Sequence, residues 1–330
     1  MTHRWGITLP IPGLTLLEHG ELCRLLPQWG YTDAWSGEAN EYDAFTPLVV
    51  AAMSAPELRI GTAVVPAFTR GPAVIAQSAA ALAAIAPDRF ILGIGSSSPV
   101  IVSDWNGCEY TRPLQRTRDV LAFLRRALNG ERVSGQFDSF AVSGFRLDRP
   151  PTARVPVYLA ALRPRMLRLA GQSADGVILN WLAASDVPAC VGAIGNRDCP
   201  VVVRVMVMPT EDAELARAIG RRMIAAYLTV PAYADFHRWL GRQSALGDMW
   251  DAWGRGDRRA ALAAIPDEVV DDLVLHGTPD VIREKVLAYV RAGAQTPVMA
   301  FLPGSGLAGP ETLSGVLSSL GREATVRGLR

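Results

Sequence analysis

The stretch "LRIGTAVVPAFTRGPAVIAQSAAALAAIAPDRFILGIG", residues 58–95, reads as strand, helix, strand. Leu58–Val65 and Phe90–Gly95 are near-continuous apolar runs. That is the pattern of strands covered on both faces, as in a parallel sheet. Between them Pro72 stands in a first turn, and Ala73 to Ala86 form an alanine-rich helix whose only polar members are Gln77 and Ser78. A helix apolar nearly all round must be covered on more than one side. Two covers are open: a second copy of the chain, or an insertion of the same chain.

Working outward, the same unit recurs. Further strands are expected at Trp5–Leu9, Thr32–Ser36, Pro156–Ala161, Gly176–Asn180, Val201–Met208 and Pro297–Leu302. Residues 114–129 place Leu114, Leu121, Leu124 and Leu128 at helical spacing before Gly130. Residues 278–292 begin with Thr278 as cap and Pro279, and stop at Gly293. Eight strands alternating with helices favour a (β/α)8 TIM barrel of α/β class, taken as one domain over residues 1–330, with a doubly wound sheet as the second reading. Two segments exceed the repeat. Residues 131–154 are rich in Gly, Ser, Pro and Arg; residues 209–276 are too long for one barrel helix. The latter hold Trp239, Trp250 and Trp253, which either line a lid or fix the insertion to the barrel.

Composition narrows the function. Apolar residues make up 49 % and charged residues 20 %, and the net charge is +1. Neither nucleic acid nor an anionic membrane surface is expected as a partner. Cys23, Cys108, Cys190 and Cys199 are scattered, without metal or disulfide spacing, which suits a reduced, cytoplasmic protein. No charged-then-apolar leader opens the chain, and no apolar run is long enough for a membrane span.

The chemistry-bearing candidates lie at strand ends, where barrel sites are built. Gly93-x-Gly95 runs into Ser96, Ser97 and Ser98 and then Pro99, so the dinucleotide fingerprint fails at its third glycine. A Gly-x-Ser-x-Gly elbow is absent as well. What remains is either a tight turn or a cradle of small polar groups. In "PVYLAALRPRMLRLAGQSADGVILNWL", residues 156–182, a strand ends in Ala160-Ala161, and Pro164 opens a helix with Arg163 at its cap. Lacking a Ser, Thr, Asp or Asn cap, that helix start offers free N–H groups to an anion. Glu38, in "DAWSGEANEYDAF" (residues 33–45), falls just past a strand end, where a catalytic carboxylate could act.

These segments together resemble the luciferase-like monooxygenase superfamily, and within it the actinobacterial branch that uses the deazaflavin coenzyme F420. The similarity runs from Trp5 to Phe301 and is densest over residues 58–130 and 155–182. The resemblance implies a TIM barrel with insertions near its mouth, commonly a homodimer, here through the helices around 46–54 and 72–86. It implies F420 in the mouth, with FMN as the alternative, and a separate F420 or flavin reductase. A non-proline cis peptide is implied at Ala63–Val64, backing the ring. The implied cofactor contacts are Ser36, Ala63, Val64, Gly95, Ser96, Ser97, Ser98, Ala160, Ala161, Leu162, Arg163 and Met166. The histidine that serves as acid/base in the sugar-phosphate dehydrogenases of this group is replaced by Glu38, and a glutamate after the fourth barrel strand is replaced by Ser98. Both changes argue against a sugar phosphate. Three functions follow: an F420-dependent oxidoreductase passing hydride to a C=C, C=N or C=O bond, with Glu38 as proton donor; a two-component monooxygenase using reduced FMN and oxygen; or a cofactor-binding barrel without turnover.

Overall fold

The computed structural model describes residues 3–304 and 310–321. The strands are β1 (Gly6–Leu9), β2 (Asp33–Ser36), β3 (Arg59–Thr62), β4 (Val65–Pro66), β5 (Phe90–Gly95), β6 (Val133–Gln136), β7 (Ala141–Phe145), β8 (Val157–Ala160), β9 (Gly176–Asn180), β10 (Val201–Met208), β11 (Val274–His276) and β12 (Thr296–Phe301). Parallel pairing runs β12, β1, β2, β3, β5, β8, β9, β10 and returns to β12, which closes the barrel. The doubly wound alternative is thereby excluded. β4 continues the course of β3 along β5, and β11 lies on the outer end of β10.

Helices α1 (Leu16–Leu25), α2 (Thr46–Ser54), α3 (Pro72–Ile85), α4 (Pro113–Leu128), α5 (Pro164–Ser173), α6 (Val187–Ile194) and α12 (Pro279–Arg291) follow successive barrel strands, and α13 (Pro310–Leu320) follows β12. Their starts obey local chemistry. Thr15 and Glu18 make a reciprocal capping box on α1, and prolines occupy the first turn of α2 to α6. The insertion at 131–154, rich in Gly, Ser, Pro and Arg, contains two strands. Val133–Gln136 and Ala141–Phe145 pair as an antiparallel hairpin, whose short, glycine-bearing strands hide the period-2 signal. Residues 209–276 form five helices: α7 (Ala213–Leu228), α8 (Pro231–Trp239), α9 (Gln243–Gly254), α10 (Arg258–Ala263) and α11 (Asp267–Leu273). Trp250 and Trp253 pack on the core of this helical unit, and the Trp250 indole donates to the Leu228 carbonyl at 2.9 Å. No described helix is long and apolar enough to cross a membrane.

The barrel interior is filled by size complementation between neighbouring strands. Trp35 lies opposite Gly61, where an added Cβ would stand 2.4 Å from the indole; Tyr158 lies opposite Gly176, with a clash at 2.5 Å. Bulky Trp35, Ile91, Tyr158, Ile178, Val202 and Val298 thus form a plug about one side chain deep. Below the plug, at the N-terminal strand ends, fully buried Asp33 bridges Arg4 and Arg59, each at 2.5 Å. Above it, at the C-terminal ends, side chains become small or polar and partly exposed. The plug therefore sets the floor of the mouth.

Candidate active site in the barrel mouth

The floor is built by a break in β3. Pairing with β5 runs Ile60↔Phe90 and Gly61↔Ile91, and resumes at Val65↔Ile94. The β3 side therefore carries one residue more than the β5 side, a bulge at residues 62–64 that turns Ala63 and Val64 toward the mouth. Thr62 fixes the bulge: its hydroxyl donates to the Gly93 carbonyl at 2.8 Å and accepts from the Gly93 amide at 2.7 Å. The Ala63 amide donates to the Ser36 carbonyl at 2.6 Å, and the Glu38 amide to the Val64 carbonyl at 3.2 Å. The Ala63–Val64 peptide is cis, at the bond where the family resemblance implies one.

Val64, Gly95 and Ala160 meet from three strands. A Cβ on Gly95 would stand 2.8 Å from Val64 Cγ2 and 3.0 Å from Ala160 Cβ, so only glycine keeps this floor low. Ala63, Val64 and Ala160 are partly exposed although they sit at the centre of a barrel, whereas Ala161 is buried behind them. Beside the floor, Ser96, Ser97 and Ser98 are also partly exposed. Among the described residues the Ser96 and Ser97 hydroxyls have no hydrogen-bond partner, while Ser98 Oγ accepts from the Ile101 amide at 3.4 Å. Ser36 Oγ is buried and unpartnered.

The start of α5 carries no side-chain cap. Leu162 and Met166 flank it, half-buried. Arg163 is exposed and pairs with Asp235 of α8 at 2.6 Å, so its charge is already matched by the helical insertion. Glu38 also has a partner. Its carboxylate takes Arg70 Nη2 at 2.9 Å and Arg70 Nε at 3.0 Å, and accepts from the Ala44 amide at 3.3 Å. That hydrogen bonding raises the Arg70 pKa above the ordinary arginine value. At Glu38, where the sequence leads one to expect a proton donor, the structure places a carboxylate held by the Arg70 guanidinium and the Ala44 amide, contacts that tie together the 37–44 loop. A polar cavity of about 340 Å³ adjoins this pair, lined by Glu38, Tyr42, Asp43, Thr69, Arg70 and Asn106 among others.

The structure adds mouth residues that the sequence reading missed. Asn180 ends β9, Arg204 lies in the inward phase of β10, and Tyr233 comes from α8. Asn180 Nδ2 donates to the Tyr233 hydroxyl at 2.9 Å. One signal was available: Arg204 interrupts the otherwise apolar run Val201–Met208. No cluster of metal-ligating side chains occurs among the described residues.

The barrel mouth thus combines a low floor of small residues, unpartnered hydroxyls at its edge and an uncapped helix start beside it. The chain belongs to the luciferase-like monooxygenase family, whose model matches residues 4–296. It is an oxidoreductase fold member similar to coenzyme F420-dependent enzymes. A Mycobacterium tuberculosis protein assigned to the coenzyme F420-dependent oxidoreductases is 26 % identical over 89 % of this chain and 92 % of its own length. The 5,10-methylenetetrahydromethanopterin reductase of Methanolobus tindarius is 27 % identical over 89 % of this chain and 92 % of its own. The solved coenzyme F420-dependent tetrahydromethanopterin reductase of Methanopyrus kandleri superposes with a TM-score of 0.76 at 19 % identity, covering 97 % of this chain and 98 % of that one.

Proposed function

We propose that this chain is a coenzyme F420-dependent oxidoreductase that passes hydride to a C=C, C=N or C=O bond of a small organic substrate. The observation that carries the reading is the low floor made by Val64, Gly95 and Ala160, flanked by the free Ser96 and Ser97 hydroxyls and the uncapped start of α5. The described residues fit the group: a planar ring needs a flat apolar support, and a phosphate-bearing tail needs N–H donors. When bound, F420 supplies a two-electron hydride couple.

The chain's own residues supply placement. The bulge at Ala63–Val64 would back the ring, Gly95 and Ala160 would let it lie close to the backbone, and Ser96, Ser97 and Ser98 would donate at its edge. Ala161, Leu162, Arg163 and Met166 border the start of α5, where the tail would sit. Ser36 supports the bulge from behind through its carbonyl, which accepts from the Ala63 amide, while its buried hydroxyl stays unpartnered. Glu38 acts as a positioning residue, tying the 37–44 loop to Arg70 beside the bulge. The five-helix insertion closes one side of the mouth through Asn180–Tyr233 and Arg163–Asp235.

The deciding experiment titrates the protein with F420 and with FMN, followed by fluorescence. Saturable F420 binding, tighter than FMN, is expected. Preference for FMN would move the chain to the two-component monooxygenases, and F420 binding without turnover of any acceptor would make it a carrier. We also propose a homodimer through α2 and α3, working in the cytoplasm beside a separate F420 reductase. The support is the exposed apolar side chains on these two helices, with Met53 71 %, Val74 47 % and Ile85 37 % exposed. Light scattering on the purified chain tests it, and a monomer at micromolar concentration would refute it.

A further inference from the structure

The arginines inside the barrel are paired at one end and unpaired at the other. At the N-terminal end, the Arg4 and Arg59 guanidinium groups share buried Asp33. Toward the mouth, Arg204 lies opposite Asn180 on β9 and Val298 on β12, in the same inward phase as Val202. Arg204 is only partly exposed, and among the described residues its guanidinium has neither an ion pair nor a hydrogen bond. A half-buried cation without a partner is costly unless an anion arrives to meet it.

Its neighbours complete the donor set. Asn180 Nδ2 donates to the Tyr233 oxygen at 2.9 Å, which leaves the Tyr233 proton without an acceptor. Asn180 Oδ1 is buried and also unpartnered. Burial raises the Tyr233 pKa to about 12, so the phenol stays an O–H donor at neutral pH; the nearby Arg204 charge acts in the opposite sense.

We propose that Arg204 and Tyr233, oriented by Asn180, form an anion subsite in the barrel mouth that receives the carboxylate of an organic-acid substrate. One planar guanidinium fork plus one hydroxyl matches the two oxygens of a carboxylate. A phosphate dianion would call for more positive charge, and the other arginine at this side of the mouth, Arg163, is already paired with Asp235. This assignment names the substrate class for the reductase proposed above and rests on that reading for the reaction, but not for the binding. Asn180 is a positioning residue, because its contact is with Tyr233.

The test uses the full chain, with benzoate, benzamide and inorganic phosphate as probes, read by calorimetry. Benzoate is expected to bind at least about tenfold more tightly than benzamide, the margin of one charge-assisted fork. Arg204→Gln should abolish that preference, and Tyr233→Phe should weaken benzoate severalfold while melting normally. Equal binding of benzoate and benzamide to the wild type would overturn the subsite, a result that does not depend on any variant folding. Phosphate binding tighter than benzoate would overturn the carboxylate assignment. Titrating the same proteins with F420 separates the two proposals: selective benzoate binding without F420 binding sinks only the reductase, and F420 binding without benzoate selectivity sinks only the subsite.

Discussion

Gly95→Ala is the sharpest perturbation of the mouth. The new Cβ would stand 2.8 Å from Val64 Cγ2 and 3.0 Å from Ala160 Cβ, both inside ordinary carbon–carbon contact. Relief requires those two side chains to shift. Below them the plug of Trp35, Ile91, Tyr158, Ile178, Val202 and Val298 is packed, so the open direction is upward into the mouth. Overpacking of this kind costs about 1–3 kcal/mol. Where the floor rises, the cost falls on the ligand and F420 affinity drops by about ten- to a hundredfold. Where it does not rise, the cost falls on folding and appears in urea denaturation. Fluorescence titration with F420 and denaturation on the same preparation measure the two parts. A variant with stability within about 0.5 kcal/mol of wild type and F420 affinity within about twofold would refute the floor as the ring's support.

Three other perturbations probe the scaffold and the loop. Asp33→Ala leaves Arg4 and Arg59 without their shared, fully buried carboxylate; a loss of about 3–5 kcal/mol is expected in urea denaturation. His237 donates from Nε2 to the Trp181 carbonyl, and burial lowers its pKa from 6.5 to about 3. Because the unfolded chain binds that proton first, the stability His237 contributes is complete above pH 6.5 and is lost as pH falls toward 3. His237→Gln should flatten the stability–pH curve in that window by about 1.4 kcal/mol per unit at most. Glu38→Gln keeps an acceptor for Arg70 but removes the charge. It should cost about 0.2–1 kcal/mol and leave F420 binding intact. Lost turnover with retained binding would restore Glu38 as the proton donor.

The barrel was legible because apolar runs report burial directly. Phe90–Gly95, Gly176–Asn180 and Val201–Met208 have the same bounds in the sequence reading and in the structure. Helix ends marked by proline and glycine came within a residue, as at Pro113–Leu128 and Pro279–Arg291. The hairpin at 133–145 was not legible, since its strands are short and mostly exposed and so bury no periodic face. Glu38 was correctly placed past a strand end, but its partner, Arg70, belongs to the following βα connection.

By itself, then, the sequence of this chain determined which segments are strands, which ends are glycine- and serine-rich, and that a family of barrels shares them. Only the tertiary structure decided what stands opposite what. Register put Arg204 beside Asn180, the insertion brought Tyr233 across 53 residues to meet it, and the one-residue bulge after Thr62 turned Ala63 and Val64 toward the barrel mouth. The physical reason is that hydrophobic periodicity encodes the buried face of each element, whereas hydrogen-bond register and barrel closure, which are not local, set the neighbours on that face.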